Sequence, residues 1–482
     1  MIQKTLPNGE TVTAYPMTIP QQFMFVCSMQ YGQDALINNI GSGYYWKGEM
    51  DFDIMKKSVY EAIGRCDTMR LRFTPDETYK VLQYITEKSE MEIETLDMSG
   101  VSLEEAHEKL KEITHGPVPM FHCELHKIWL VKLADGYNGL LFKLQHLAMD
   151  AYSTKIFLKD IMEIYLHYVQ GKAYPKPMRP YVPALLKELA YMKSEQYEAD
   201  KKYWYDSLAK TSEPVFTDYL LDSRLKKQRE TYPDRRYCDI HSGSPEAGLE
   251  IYDLTAEETE KIFAMCEKNG LSVCATLSMA IRTALSVFND NEEDVSFKMI
   301  VNRRGNLAEK KSGGIRINFF PMRSIVSPET SFKAAIEEIE AVQNEIYSHC
   351  SLGFWEMLAL RHQSMPKTAL PDSTYDSVGF SYQPLMIIPN LDEQTAKTAK
   401  GVWYNNGASM IPLYITARHR AEDGGLEFVF EYRKTPDPTY DLKVFFRVLH
   451  DALMLGAENP AMKVGDLLDK AAITDEERNG KS

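Results

Sequence analysis

Helix-like and strand-like patterns alternate along most of this chain. Residues 55–63 carry apolar side chains at helical spacing, whereas residues 69–73 alternate at period two. Strand-like runs at 124–133 and 139–145 flank the turn sequence DGYNG, which predicts a hairpin. Helices interspersed with hairpins favour an α/β fold, of the layered α+β kind with mixed sheets, over a doubly wound parallel fold.

One proline-rich stretch interrupts this alternation. GKAYPKPMRPYVP (171–183) carries four prolines and no periodicity, so it is the best linker candidate in the chain. The 482 residues are about three times the length of a typical domain, which favours more than one packing unit. We therefore predict an N-terminal lobe over residues 1–178 and a C-terminal lobe over residues 179–482.

Charge and cysteine usage exclude several classes of protein. Lys and Arg number 55 against 69 Asp and Glu, and the net charge of -14 disfavours a nucleic-acid partner. The seven cysteines are odd in number and scattered, which fits a reducing compartment better than a disulfide framework. The start MIQKTLPNGETVTAYP lacks the order of a signal peptide, and no apolar run reaches the ~18 residues of a membrane helix. We predict a cytoplasmic protein with no membrane partner.

The segment LLFKLQHLAMDAYS places His146 between an apolar strand and a helix predicted to end near Gly171. Imidazole exchanges a proton near neutral pH, so His146 is a candidate general base. Asp150, four positions on, could contact the imidazole within one helical turn, or could turn inward and pair with an arginine. The spacing alone does not choose between these, and a purely structural strand-to-helix loop is the ordinary alternative.

Other motifs do not support a site. HCELH (122–126) spaces two histidines four apart, but the segment alternates like a strand, where such positions lie about 13 Å apart. We predict no metal site there. GSGYYWKG (41–48) lacks the spacing of phosphate-binding loops and predicts an aromatic strand. No serine lies in GxSxG, which argues against an α/β-hydrolase.

The segment around His146 resembles the HHxxxDG active-site motif of the condensation-domain superfamily of nonribosomal peptide synthetases. Three further segments in the first half of the chain resemble motifs of this family, and they occur in the same order as in the family. They are YPMTIPQQFMF (15–25), RCDTMRLRF (65–73) and EADKKYWYDSLA (198–209).

The resemblance continues in the second half of the chain. IVNRRG (300–305), GGIRINFFPMR (313–323) and HCSLGFWEML (349–358) are similar to the family's later motifs. The resemblance implies two chloramphenicol-acetyltransferase-like lobes with mixed sheets, arranged as a V-shaped pseudo-dimer. It also implies a tunnel open at both faces, with His146 at the junction of the lobes.

The resemblance assigns a role to each site residue. His146 would remove or steer the proton of an acceptor amine or hydroxyl as it attacks a thioester carbonyl. Asp150 would be its structural neighbour, paired with Arg303 in the first instance and otherwise with Arg304.

Two neighbours of the motif depart from the family pattern. Gln145 replaces the first histidine, and Ala151 replaces the glycine, while Ser153 lies just beyond. The added methyl group of Ala151 either narrows the substrate channel or, if the backbone needs a positive φ, costs about 1 kcal/mol.

The function implied first is amide formation from a thioester donor on the phosphopantetheine arm of an acyl or peptidyl carrier protein. Ester formation and a coenzyme A donor are the nearby variants, and the acceptor is a small amine or alcohol. No permanently bound cofactor or metal is expected. The alternative is a catalytically silent module that binds a carrier protein or a partner enzyme, which Gln145 and Ala151 favour.

The tail LLDKAAITDEERNGKS resembles the connector after such domains in multidomain synthetases. An excised domain and a free-standing partner acting in trans are both compatible with it.

Overall fold

A computed structural model describes residues 1–31, 36–78, 80–209, 211–240, 244–384, 393–404, 406–420, 422–434 and 438–480. The chain divides into two compact units. The first comprises Met1–Tyr197, Asn302–Ile317 and Leu385–Ala408, and the second comprises Glu198–Val301, Asn318–Pro384 and Ser409–Ser482. The predicted boundary at residue 178 falls inside the first unit, which continues to Tyr197 and includes two later segments.

The strands of the described residues are short to medium in length. They are β1 (Ile2–Thr5), β2 (Thr11–Pro16), β3 (Asn39–Lys47), β4 (Leu71–Pro75), β5 (Val81–Ile85), β6 (Glu94–Met98), β7 (His126–Leu133), β8 (Tyr137–Gln145), β9 (Cys238–Asp239), β10 (Ala247–Asp253), β11 (Asp294–Asn302), β12 (Ile317–Ile325), β13 (Ser373–Thr374), β14 (Val378–Gln383), β15 (Lys400–Tyr404), β16 (Leu413–His419) and β17 (Leu426–Arg433).

The helices are distributed over both units. They are α1 (Ile19–Tyr31), α2 (Phe52–Gly64), α3 (Leu103–His115), α4 (Ala151–Gln170), α5 (Tyr181–Tyr191), α6 (Glu195–Ala209), α7 (Arg224–Arg229), α8 (Ala256–Asn269), α9 (Val273–Phe288), α10 (Leu307–Lys310), α11 (Phe332–Ser348), α12 (Phe354–Ser364), α13 (Glu393–Thr398), α14 (Thr439–Glu458), α15 (Val464–Lys470) and α16 (Asp475–Asn479).

The first unit contains a four-stranded sheet in the order β1-β2-β5-β4 and a five-stranded sheet in the order β15-β3-β8-β7-β6. In the larger sheet β6 and β7 run parallel, whereas β7, β8, β3 and β15 pair antiparallel. Ala106 and Leu110 of α3 are buried against this sheet together with Trp129 and Leu141. The sheet therefore holds β8, the strand that leads to His146, near its centre.

The second unit is built on a six-stranded mixed sheet in the order β10-β17-β16-β14-β11-β12. β14 pairs parallel with β11 and with β16, while β17 pairs antiparallel with β16 and β10. Helix α9 is buried along most of its length and packs against α11 and α14. This unit also contains the two-stranded sheet of β9 and β13.

Several local predictions are confirmed. The hairpin forms between β7 and β8, and α4 ends at Gly171, which adopts φ 66° and donates its N–H to the carbonyl of His167. Thr255 and Glu258 also form a capping box at the start of α8. The aromatic run at 41–48 lies in or directly after β3, as expected.

The prediction of a strand over 122–126 is wrong for most of its length. Only His126 lies in β7, and His122 has a φ of 55°. Such a φ takes the backbone out of the extended region, so the alternation of HCELH is not that of a strand.

No single helix of the described ranges is long and apolar enough to cross a membrane. One pair, α8 and α9, meets the length and composition criterion only when taken together across a bend of 115°.

Candidate active site

His146 lies in the turn that joins β8 to α4. Its backbone N–H donates to the carbonyl of Asn38 at 2.7 Å, and Ala148 N–H donates to the carbonyl of Gln145 at 2.9 Å. The side chain of Asn38 is itself held by the carbonyl of Met24 and the hydroxyl of Ser28. The backbone of the turn is therefore fixed to the residue before β3, which is in turn held by α1.

The ring of His146 is half-buried. Its Nδ1 atom is enclosed and has no hydrogen-bond partner within the part of the chain that the structure describes. Burial lowers the pKa of His146, and the opposing attraction of Asp150 does not restore it to its ordinary value. The imidazole is therefore neutral at pH 7, which is the form that accepts a proton.

Asp150 is the N-cap of α4 and is almost completely enclosed. Its Oδ1 accepts the N–H of Ser153 at 2.8 Å, and its Oδ2 accepts the N–H of Arg316 at 2.9 Å. The first of these bonds satisfies a free donor at the helix start. The second fixes residues 302–317 to α4.

Arg304 forms a bidentate ion pair with Asp150. Its Nη1 and Nη2 atoms lie 2.9 Å and 3.1 Å from the two carboxylate oxygens, and both side chains are 1% exposed. The guanidinium also donates to Ser153 Oγ at 2.6 Å and to the carbonyl of Gly314 at 2.7 Å. Burial alone would raise the pKa of Asp150, but Arg304 and the two backbone N–H groups hold it below its ordinary value. The carboxylate is therefore ionised at neutral pH.

Of the two predicted partners of Asp150, an arginine, Arg304, contacts its carboxylate oxygens and His146 does not. The prediction that Arg303 is this arginine is wrong. Arg303 lies 3.2 Å from Glu188 of α5 instead. Of the two adjacent arginines, Arg304 is the one that forms the ion pair with Asp150.

Glu188 was not found by sequence analysis. It accepts the backbone N–H of Ile19 at 3.0 Å in addition to Arg303, and it lies 3.9 Å from Arg316. It thereby joins α5, α1 and the residues before β12. No local pattern marks it, because α5 begins within the proline-rich stretch and the partners of Glu188 lie far away in the sequence.

The described residues contain no group of three or more His, Cys, Asp or Glu side chains that could hold a metal ion. The titratable side chains at the turn into α4 include those of His146 and Asp150.

A comparison with known protein families identifies the chain. The family model of the condensation domain matches residues 12–474. The chain belongs to the condensation-domain family. Membership confirms the resemblance of the sequence motifs and the predicted class, a condensation-type acyltransferase.

Curated relatives are large synthetases. The chain is 22% identical over 435 residues to surfactin synthase subunit 1 of Bacillus subtilis (strain 168), covering 88% of this chain and 11% of that protein. It is 22% identical over 356 residues to tyrocidine synthase 2 of Brevibacillus parabrevis, covering 73% of this chain and 9% of that protein. The chain thus spans a small part of the length of these relatives.

Solved structures confirm the predicted fold class. The first condensation domain of the calcium-dependent antibiotic synthetase, in complex with substrate analogue 3a, matches with a TM-score of 0.77 at 18% identity, covering 94% of this chain and 98% of that one. The condensation domain of the monacolin K polyketide synthase MokA matches with a TM-score of 0.76 at 14% identity, covering 94% and 99%.

The two departures from the family motif have different structural outcomes. Gln145 is buried at the end of β8, and its backbone N–H donates to the carbonyl of Leu125 at 2.8 Å. Ala151 is the first residue of α4 and is not among the non-glycine residues with positive φ. The alternative that Ala151 strains the backbone of this condensation domain is therefore wrong. Ser153 donates its hydroxyl to the carbonyl of Gly314 at 2.6 Å and so belongs to the ion-pair network.

Gly314 is required by its backbone conformation and by its neighbour. It adopts a φ of 106°, and a Cβ atom built there would lie 2.8 Å from the ring of Tyr181. We expect Gly314→Ala to lower the free energy of unfolding by more than the ~1 kcal/mol of a positive φ alone, measured by chemical denaturation.

Gly171→Ala is the matched control, because Gly171 also has a positive φ, 66°, but nothing lies within 4 Å of the position that a methyl group would take there. Equal losses in the two variants would show that the contact with Tyr181 is unimportant.

Proposed function

We propose that this condensation domain joins the acyl group of a thioester to a small amine. The amine nitrogen attacks the thioester carbonyl, the carbon–sulfur bond breaks, and the thiol leaves. His146 takes the proton from the attacking nitrogen and returns it to the departing sulfur, so the protein ends unchanged.

The observation that carries the proposal is the neutral, half-buried imidazole of His146 in a turn fixed on both sides. The backbone N–H of His146 is hydrogen-bonded to the carbonyl of Asn38. Four residues after His146, the buried ion pair of Asp150 and Arg304 fixes the start of α4. A base held in this way loses little freedom when the substrates bind, and such positioning contributes a large share of enzymatic rate enhancement.

We propose a donor on the phosphopantetheine arm of a carrier protein, in nonribosomal peptide or related synthesis. Family membership and the synthetase relatives support this choice over a coenzyme A donor. Amide formation is preferred to ester formation on the same grounds. We also propose a cytoplasmic location, because seven scattered cysteines fit a reducing compartment better than a disulfide framework.

The test is a product screen with purified protein. Acyl groups would be supplied on a loaded carrier protein, on coenzyme A and on a short pantetheine-like thiol, each with a pool of amines, and products would be followed by mass spectrometry. We expect an amide product that depends on the protein and forms fastest from the carrier-bound donor. Faster reaction from coenzyme A would contradict the proposed donor.

A silent binding module would behave differently in the same screen. It would give no product from any donor while still retaining the loaded carrier protein in a pull-down. The buried Gln145, standing in place of the first histidine of the family motif, is the feature that favours this second candidate.

A further inference from the structure

A cavity of about 190 Å³ lies in the second unit. It is bounded by β11, β12, α12 and the residues that precede β14. Its lining is largely apolar and includes Phe319, Phe354, Met357, Leu358 and Met365. At this volume it suits a small molecule and not a drug-sized ligand.

Lys298 of β11 is the one lysine in the lining of this cavity among the described residues. Its neighbours along the strand, Phe297 and Met299, are buried, while Lys298 is partly exposed, as expected for side chains that alternate between two faces. Within the described ranges the ammonium of Lys298 has no hydrogen bond and no ion pair. An amine in an apolar cavity without a counter-ion is costly, so it suggests a ligand.

Asp376 is the carboxylate that attracts the ammonium of Lys298, but both of its oxygens already have other partners. Asp376 accepts the hydroxyl of Ser296 at 2.6 Å on Oδ1 and forms an ion pair with Arg361 through Oδ2. Arg433, on another wall, donates to the carbonyls of Ser409 and Met410. The cavity therefore offers the ammonium of Lys298, which no carboxylate of the described residues contacts directly, beside a largely apolar wall.

The pKa of Lys298 is consistent with an ammonium that is largely removed from water. Burial lowers the pKa of Lys298 to about 8, with Asp376 opposing the shift and Arg361 and Arg433 adding to it. His362 and Asp372 are the other titratable groups in the lining. At neutral pH most of the amine is still protonated, so a bound anion would meet a cation.

We propose that this cavity binds a small organic carboxylate with an apolar body, its carboxylate against Lys298 and its body among the phenylalanine and methionine side chains. The carboxylate would supply the counter-ion that Lys298 lacks, and the body would bury apolar surface. This inference goes beyond the proposed function and does not involve His146.

The test is calorimetric titration of the intact protein with phenylacetate and with phenylacetamide, its uncharged analogue. We expect saturable binding of phenylacetate, at least tenfold weaker binding of phenylacetamide, and at least a tenfold loss of phenylacetate affinity in Lys298→Met. Lys298→Arg, which keeps the charge, should retain more affinity than Lys298→Met. The affinity should also fall as the pH rises through 8, because the amine then loses its proton.

A thermal melt separates loss of the site from loss of the fold. Lys298→Met removes a desolvated ammonium that forms no ion pair within the described residues, so its melting temperature should equal or exceed that of the parent protein. Equal binding of phenylacetate and phenylacetamide, unchanged affinity in Lys298→Met, or no saturable binding of phenylacetate at millimolar concentration would each overturn the proposal.

Discussion

Replacing His146 by alanine is expected to slow amide formation by a factor of about one hundred to ten thousand, the usual contribution of a general base. The loss should appear in kcat, because the imidazole acts on the proton of the attacking amine and not on substrate binding. The matched control is His167→Ala in the last turn of α4, where the ring contacts the carbonyl of Lys172 at 2.7 Å. That variant should keep the parent rate.

The pH dependence offers a second measurement on the same residue. Because the pKa of His146 lies below its ordinary value of 6.5, the neutral base persists below that pH. The rate should therefore stay level from neutral pH down to about 6.5 and decline only in more acidic solution, when the imidazole becomes protonated. A parent rate in His146→Ala, or a decline centred above pH 7, would contradict the role of His146 as a base.

Replacing Asp150 by asparagine should lower the free energy of unfolding by about 3 to 5 kcal/mol, measured by urea denaturation. Asparagine still caps α4, so the loss reports mainly on the buried charge of Arg304, which is left without its partner. The double variant Asp150→Asn, Arg304→Met should lose less than the sum of the single variants.

An exposed ion pair provides the control. Glu105 and Lys109 lie 2.7 Å apart on the surface of α3, and Glu105→Gln should cost no more than about 1 kcal/mol. If Asp150→Asn costs as little as Glu105→Gln, the buried pair does not stabilise the fold.

The stability contributed by the ion pair of Asp150 and Arg304 should also depend on pH. The pKa of Asp150 is lower in the folded state than in the unfolded state. The ionised carboxylate therefore stabilises the fold at pH values above the unfolded-state pKa, and this stabilisation is lost as the pH falls through the folded-state pKa. The difference in stability between the parent and Asp150→Asn should therefore shrink below about pH 4. A difference that is constant from pH 7 to pH 3 would argue against the ionised carboxylate.

Local sequence patterns predicted the part of the site that lies close together in the chain. The apolar strand-like run after the turn DGYNG predicted β8, and Gly171 predicted the end of α4, because these features depend on residues within a few positions. The position of His146 at the end of the strand followed from them.

The long-range partners could not be predicted in the same way. Arg304 lies 154 positions from Asp150, and nothing in the sequence shows which of two adjacent arginines faces the carboxylate. The second ion pair, between Arg303 and Glu188, depends on how α5 folds back after the proline-rich stretch. Such contacts are decided by the packing of whole elements and not by the local pattern.

The pairing of β15 with β3 determines when the five-stranded sheet of the first unit can be completed. Lys400–Tyr404 covers the edge of a strand that is synthesised more than three hundred residues earlier. Until that late segment emerges, β3 presents unpaired backbone groups that could bind a strand of another molecule. A fragment that stops at the proline-rich stretch would also lack Arg304, so we expect it to aggregate instead of forming an autonomous half.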